Sequence, residues 1–362
     1  MKQETNKKVV VGMSGGVDSS VAAYLLKEKG YKVTGLFMQN WQNEPGEKCT
    51  SEIDFKDASS VCDRLEIPLH KANFSDDYWN NVFEEFLNEY KLGRTPNPDI
   101  LCNREIKFKS FLNYALTIGA DYIATGHYAS LKNINDKTYL SRAKDIAKDQ
   151  TYFLHEVSEK EFSKCLFPLE NLTKLEVRNI AFKNDLVTAN KKDSVGICFV
   201  GEKNLKDFLS RFIEFKKGDI KDENDNIIGQ HQGSILYTQG QRQGLMIGGV
   251  KGKEELPWYV YKKNIPKNEI YVCQGGDNKL LMSKGLYVED INYINDIEYK
   301  YPIKCSVQVR HQHTPVNCTI EKSSNEYKVI FEESIRAIAP GQSAVFYDNE
   351  ICLGGGVICK TF

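Results

Sequence analysis

The chain has no run of about 18 apolar residues, so it offers no membrane-spanning helix. Its opening, MKQETNKK, lacks the apolar stretch of a secretory signal, and the expectation is a cytoplasmic protein with reduced thiols. Ten cysteines are spread over 362 residues, yet none stands as C-x-x-C, which leaves a zinc ribbon or thioredoxin-like motif without support. There is little excess charge of either sign. A net charge of −1 means that a polyanionic partner would have to be read from local clusters of Lys and Arg. Internal repeats and low-complexity tracts are also missing. What remains is 41% apolar and 27% charged, an ordinary globular composition in a chain long enough for two or three domains.

The first half alternates β-rich and helical runs. KKVVVGM reads as a strand, VAAYLLKEKG as a helix and YKVTGLFMQNW as a second strand. Between 54 and 66, Ala58, Val61, Cys62 and Leu65 share one helical face. Trp79, Val82, Phe83, Phe86, Leu87 and Tyr90 share the next. Phe108, Phe111, Leu112, Ala115 and Leu116 form a third, ahead of the strand-like DYIATGHY. Such alternation implies an α/β domain with a doubly wound parallel sheet. Thr173-Lys-Leu-Glu176 has the form of a capping box opening a further helix.

After about residue 208 helical periodicity fades, and Gly, Asn and Asp punctuate β-rich runs such as SILYT and PWYVYKK. From about 281 the pattern is all β (GLYVEDINYI, IKCSVQVR, YKVIFEE, SAVFYD, ICLGGGVI), at a spacing that suggests a small barrel. The expected division is 1–208, an α/β domain; 209–280, a small mostly β central domain; and 281–362, a C-terminal β-barrel.

In VVVGMSGGVDSS, residues 9–20, a strand stops at Ser14-Gly15-Gly16 and a helix starts near Asp18-Ser19. Glycines let successive N–H groups turn to one point, and the helix N-terminus adds positive potential, so the loop can cradle phosphate. The Walker A pattern G-x-x-x-x-G-K-[ST] is absent, so no lysine of the loop reaches the phosphates. G-x-G-x-x-G is absent too, and no acid ends the second strand to hold a ribose. S-G-G-x-D-S resembles the signature of the PP-loop ATP pyrophosphatases, with their adenine nucleotide alpha hydrolase-like fold; an ordinary glycine turn with an Asp/Ser cap is the plainer alternative.

Cys102 follows a Pro-Asp turn in RTPNPDILCNREIKF, where a chain displays side chains; Cys198 stands in KKDSVGICFVGEKN between Gly196 and Gly201. Cys62 falls on an apolar helix face and reads as inert core, as do Cys165, Cys273, Cys305, Cys318, Cys352 and Cys359; Cys49, in EPGEKCTSE, reads as a loop thiol.

GMSGGVDSS, TPNPDILCNREIKF, ATGHYA, KDQTYFL, DSVGICFVGE and APGQSAVFYD occur in this order, and together they resemble the tRNA-specific 2-thiouridylases (MnmA) over nearly the whole chain. The resemblance implies 2-thiouridine formation at the tRNA wobble position. It implies ATP with Mg2+, a persulfide on Cys198, and a disulfide with Cys102 after transfer. The sulfur donor would be a cysteine desulfurase or a sulfur-relay protein. ATP would lie on Gly12, Met13, Ser14, Gly15, Gly16, Val17, Asp18 and Ser19, with Met38 and Gly126 at the adenosine. Asn97, Pro98 and Asp99 would meet the target base, with Asp99 a proton shuttle, a hydrogen-bonding group or merely an Asx-turn residue. Lys148, Asp149, Gln150, Arg310 and His311 would contact tRNA, or else belong to solvated loops. Without the family, Met38 reads as core; His127 is a further candidate, with a satisfied structural histidine as the plainer reading. No protein metal cage is expected.

Two stretches depart from the family: YTQGQRQGL, where an apolar residue before GQR and a Lys after it are expected, and RHQH near 310, where related chains look more basic. Both bear on the tRNA grip and leave ATP and sulfur chemistry alone. A PP-loop ligase adenylating a small carboxylate or amide is the rival enzyme reading, and an RNA-binding module with a vestigial nucleotide site is the non-catalytic one.

Overall fold

The computed structural model describes residues 5–41, 50–193, 205–249, 252–324 and 326–362. The first sheet is parallel and has five strands, β1 (Lys8–Gly12), β2 (Lys32–Gln39), β3 (Leu69–Asn73), β4 (Tyr122–Ala124) and β7 (Cys165–Leu166), in the order β3-β2-β1-β4-β7. Strand periodicity sends Val9 and Val11 to one face and Val10 to the other. The first face packs against α1 (Val17–Glu28), α2 (Thr50–Arg64) and α8 (Lys174–Lys183). The second packs against α3 (Ser75–Tyr78), α4 (Glu84–Lys91), α5 (Pro98–Leu101) and α6 (Phe111–Thr117), with π-helical stretches at Trp79–Phe83 and Cys102–Ser110. Helices on both faces complete the doubly wound arrangement. The strand order reverses between β1 and β4, so the loops leaving their carboxyl ends frame the crevice where such sheets bind ligands.

Two short helices, α7 (Glu159–Phe162) and α9 (Leu205–Leu209), precede the β-rich half. A four-stranded sheet follows: β8 (Gly218–Lys221), β9 (Ile227–His231), β10 (Trp258–Asn264) and β11 (Glu269–Gln274), in the order β10-β11-β8-β9. SILYT, read above as β-rich, is instead a 3-10 turn over Ser234–Leu236 after Gly233 at φ 141°. A short apolar run has no period by which strand and turn can be told apart.

The last strands are β12 (Met282–Val288), β13 (Asn292–Tyr293), β14 (Ile303–Gln308), β15 (Val316–Lys322), β16 (Tyr327–Arg336), β17 (Ser343–Asp348) and β18 (Ile351–Thr361). The path β12-β16-β15-β14-β17-β18 closes through a further β12–β18 pairing, which makes a barrel. The hairpin β5 (Ser130–Ile134) and β6 (Lys137–Ser141), from the first half of the chain, joins its edge where Ser141 pairs with Ile351. Among the described residues no helix is long and apolar enough to cross a membrane.

Candidate active site

The loop after β1 is fixed from behind. The Met13 N–H donates to Leu36 O at 2.8 Å, and the Met13 side chain is fully buried. Gly15 has φ +73°, and a Cβ there would stand 2.3 Å from the Asp54 carbonyl oxygen, so only glycine fits. Ser19 Oγ donates to Gly16 O (3.1 Å) and accepts from the Ser14 N–H (3.2 Å), folding the loop over the start of α1. A Cβ on Gly12 would lie 3.2 Å from Met38 Cε, at the end of β2. A Cβ on Gly126 would lie 2.7 Å from both Asp18 C and Ser19 N. Residues 12–19, Met38 and Gly126 thus meet at the crevice between β1 and β4. Val17 is core beneath the loop.

Asp18 accepts from Tyr128 Oη (3.0 Å) and, through both oxygens, from Lys174 Nζ (2.7 and 2.8 Å). Lys174 also pairs with Asp193 at 2.8 Å, which Lys148 and Arg178 each approach at 2.9 Å. Burial pushes the Asp193 carboxyl up, but hydrogen bonds from Lys174 and Lys148 outweigh it and bring its pKa down to about 2. His127, beside the loop, is core as its context suggests. Its Nδ1 lies 2.7 Å from Thr125 Oγ1, and burial, with Lys107 nearby, holds its pKa well below the usual range.

The segment carrying Asp99 and Cys102 is clamped by both β-rich parts of the chain. The Thr95 N–H donates to Pro340 O (2.9 Å) and Thr95 O accepts from Gln342 Nε2 (2.7 Å). Thr95 Oγ1 stands 3.1 Å from Thr238 Oγ1 of the central sheet's approach. Asn97 then caps α5, its Oδ1 accepting the Asp99 N–H at 3.2 Å, with Pro98 at the first helical position. The Asx cap therefore belongs to Asn97, and Asp99 lends it only a backbone donor. Asp99 and Cys102 lie one turn apart, on the same helix face. Burial raises the Asp99 pKa, against the opposing pull of Lys107 and His311.

The expected display of Cys102 is not met: it is 3% exposed, within the apolar cluster that includes Ile106 and Phe108. Cys198 and Cys49 lie outside the described residues. Cys62, Cys165, Cys273, Cys318 and Cys352 are buried as core, whereas Cys305 and Cys359 are half-buried. Burial pushes the Cys62 and Cys352 thiols up to about 12, which keeps them inert.

The residues assigned to tRNA are largely engaged inside the protein. The Asp149 carboxylate is buried, taking hydrogen bonds from the Ala143 N–H (2.9 Å), Arg142 (3.2 Å) and Thr151 (2.6 Å). Gln150 and Tyr128 exchange hydrogen bonds, Oε1 accepting from the Tyr128 N–H and the Gln150 N–H donating to Tyr128 O. Lys148 keeps a 43% exposed side chain. Arg310 donates to Gln239 O (2.9 Å) and Ala337 O (2.7 Å), so the two departures from the family pattern touch each other. His311 Nε2 lies 2.9 Å from Asp149 O, and its ring centroid is 4.4 Å from that of Phe153.

Sequence reading missed Lys174, Tyr128 and Lys107. The capping box marked Lys174 as a first helical residue, but nothing local indicated that its side chain reaches residue 18. Among the described residues no group of three or more His, Cys, Asp or Glu could hold a metal ion.

Fold and site define a protein with a phosphate-loop nucleotide-binding domain and two β-rich domains. Three family models match in that order: a tRNA methyl transferase HUP domain over residues 7–202, a tRNA methyl transferase PRC-barrel domain over 206–274 and an aminomethyltransferase beta-barrel domain over 283–358. The chain belongs to the family of tRNA-specific 2-thiouridylases (MnmA). It is 54% identical over 353 residues to the tRNA-specific 2-thiouridylase of Pseudomonas fluorescens strain Pf-5, covering 97% of this chain and 94% of that one. The relative from Pseudomonas putida strain GB-1 is 52% identical over 359 residues, covering 99% and 96%. The domain descriptions speak of methyl transfer, but the relatives matched almost end to end are named for thiolation. Among solved structures, the U34-tRNA thiolase NcsA of Methanococcus maripaludis aligns at 22% identity over 55% of this chain and 63% of its own, with a TM-score of 0.37.

Proposed function

We propose that this chain is a cytoplasmic enzyme that uses ATP to replace the C2 oxygen of the wobble uridine of tRNA with sulfur. The observation that carries the reading is 54% identity, over 97% of the chain, to an enzyme named for 2-thiouridine formation. In this reading residues 1–208 carry the chemistry, and 209–280 and 281–362 position the tRNA. The anticodon base is flipped toward Asn97, Pro98 and Asp99, because C2 is otherwise shielded.

Uracil O2 attacks the α-phosphorus of ATP and pyrophosphate leaves. The C2 oxygen is now part of an AMP ester, a good leaving group. The loop at 12–19 holds the β- and γ-phosphates, while Met38 and Gly126 flank the adenosine. Bound Mg2+ would supply charge neutralisation for the phosphates, and Asp18 is the loop carboxylate that would help to hold it. A Cys198 persulfide, charged by a cysteine desulfurase or a relay protein, attacks C2 through its outer sulfur and AMP departs. The Cys102 thiolate then attacks the Cys198 sulfur. The S–S bond breaks, the outer sulfur stays on the base as the thiocarbonyl, and a Cys102–Cys198 disulfide is left for an external thiol to reduce. Asp99, with its pKa raised by burial, suits proton exchange with the uracil ring.

The test is nucleoside mass spectrometry of tRNA after incubation with ATP, Mg2+ and a sulfide source. We expect 2-thiouridine, lost in Cys102→Ala and in Cys198→Ser, with release of AMP and pyrophosphate. Release of ADP would refute the phosphate-loop assignment.

A further inference from the structure

The phosphate loop has no lysine of its own, yet a lysine reaches it from far along the chain. We propose that Lys174 is a phosphate-binding residue: its ammonium, held in this structure by Asp18 and Asp193, passes to the β- and γ-phosphates when ATP enters. This rests on the reading of residues 12–19 as the nucleotide-phosphate site.

The backbone of Lys174 is firmly placed. Thr173 and Glu176 form a reciprocal capping box, with Thr173 N to Glu176 Oε2 at 2.6 Å and Glu176 N to Thr173 Oγ1 at 3.2 Å. The Lys174 N–H donates to Asp145 Oδ2 at 2.8 Å. The side chain therefore starts from a fixed point at the N-terminus of a helix that packs on α1. It is only 14% exposed, while Asp18 and Asp193 are 32% and 35% exposed. Both carboxylates that its ammonium meets belong to partly exposed residues.

An ammonium has three donors and no acceptor. Here they meet Asp18 Oδ1, Asp18 Oδ2 and Asp193 Oδ1, all anionic oxygens. A triphosphate seated on the Gly15–Ser19 turn would bring oxygens of the same charge and geometry to the same place. Its greater negative charge favours transfer of the cation. Asp193 keeps Lys148 and Arg178 as partners, so losing Lys174 does not leave it an unpaired charge. The lysine would then do from α8 what a Walker lysine does from within its loop.

The experiment uses the full chain with Mg2+ and measures the affinity for ATP, inorganic pyrophosphate and AMP by calorimetry. Lys174→Met should weaken ATP and pyrophosphate at least tenfold and leave AMP within about twofold, with Lys174→Arg between it and wild type. Unchanged AMP binding also shows that the variant is folded. Asp193→Asn should leave ATP binding equal or tighter, because it releases the lysine. A lysine that merely braced the loop would make this variant weaker, and that result would overturn the proposal. So would Lys174→Met binding pyrophosphate like wild type, or losing all three ligands equally. If wild type itself failed to bind ATP, the reading of the loop would fall first, and the proposal with it.

Discussion

At the scale of single residues, the site depends on places where no side chain fits. Gly126 belongs to the turn after β4 and touches the start of α1, more than a hundred residues earlier in the chain. A methyl group there would stand 2.7 Å from backbone atoms of Asp18 and Ser19, and backbone cannot swing aside as a side chain can. Gly126→Ala should therefore displace the phosphate loop itself. We expect ATP affinity to fall by tenfold or more, with less effect on the melting temperature; wild-type ATP affinity in the variant would disprove the contact. The sequence made this glycine legible only through the family motif. Burial of Cys102 was not legible at all. The turn before it suggested display, but the residue is buried in the apolar cluster that also takes in Ile106 and Phe108 of the wide helix. Asp149 and Arg310 were misjudged in the same way. A charged residue in a loop-like stretch reads as solvated, whereas here Asp149 is satisfied by Arg142, Ala143 and Thr151 of its own stretch, and Arg310 by the carbonyls of Gln239 and Ala337, remote in sequence.

At the scale of elements, the alternation of β and α runs carried the parallel sheet, because each run has its own period. The π-helical stretches left no comparable mark. Trp79, Val82, Phe83 and Phe86 fit ordinary helical spacing, yet Trp79–Phe83 and Cys102–Ser110 are wide turns. Beyond the second of them Phe111, Leu112 and Ala115 stay buried, whereas Leu116, counted as part of the same apolar face, is 44% exposed. The hairpin β5–β6 was not read from the sequence, and its place at the barrel carries no local signal, since its partner Ile351 is remote in sequence. The capping box at Thr173 is the clearest local success. It fixes the backbone from which the Lys174 side chain extends. Thr173→Ala removes the acceptor for the Glu176 N–H, at a cost of about 1 kcal/mol. We expect a melting temperature lower by a few degrees together with a rise in KM for ATP, since the start of α8 also sets the reach of Lys174. A variant that lost stability but kept KM unchanged would separate the cap from the site.

At the scale of the whole molecule, the domains are joined by buried polar groups, and this gives stability a pH dependence with a definite sign. Arg142 and Asp149 form a buried pair, and the Arg142 guanidinium carbon lies 3.9 Å from the centre of the Tyr347 ring of β17. His155 is fully buried where a Cβ on Gly355 of β18 would meet its ring at 2.5 Å. Burial is the first cause holding the pKa of both His127 and His155 below 6.5. The folded protein therefore binds fewer protons at these sites than the unfolded chain does. Their contribution is complete above the unfolded value of about 6.5 and is lost as pH falls toward the folded values. Each buried histidine adds a slope of about 1.4 kcal/mol per pH unit in that window. Asp99 and Asp149 work oppositely, because burial raises both. Protonating them favours the folded state, but only near and below their raised values. Asp193, at about 2, keeps its contribution until the solution is far more acidic. Urea unfolding at pH 7.5, 6.5 and 5.5 should accordingly show stability falling by a few kcal/mol over this range. His155→Leu should lessen the slope by about one proton's worth, because one titrating group has been removed. A flat profile in the wild-type chain, or an unchanged slope in the variant, would mean that these histidines do not stay neutral in the folded protein. Since His155 stands against β18, acid should loosen the docking of the barrel, and with it the grip of Pro340 and Gln342 on Thr95, ahead of the Asp99–Cys102 helix.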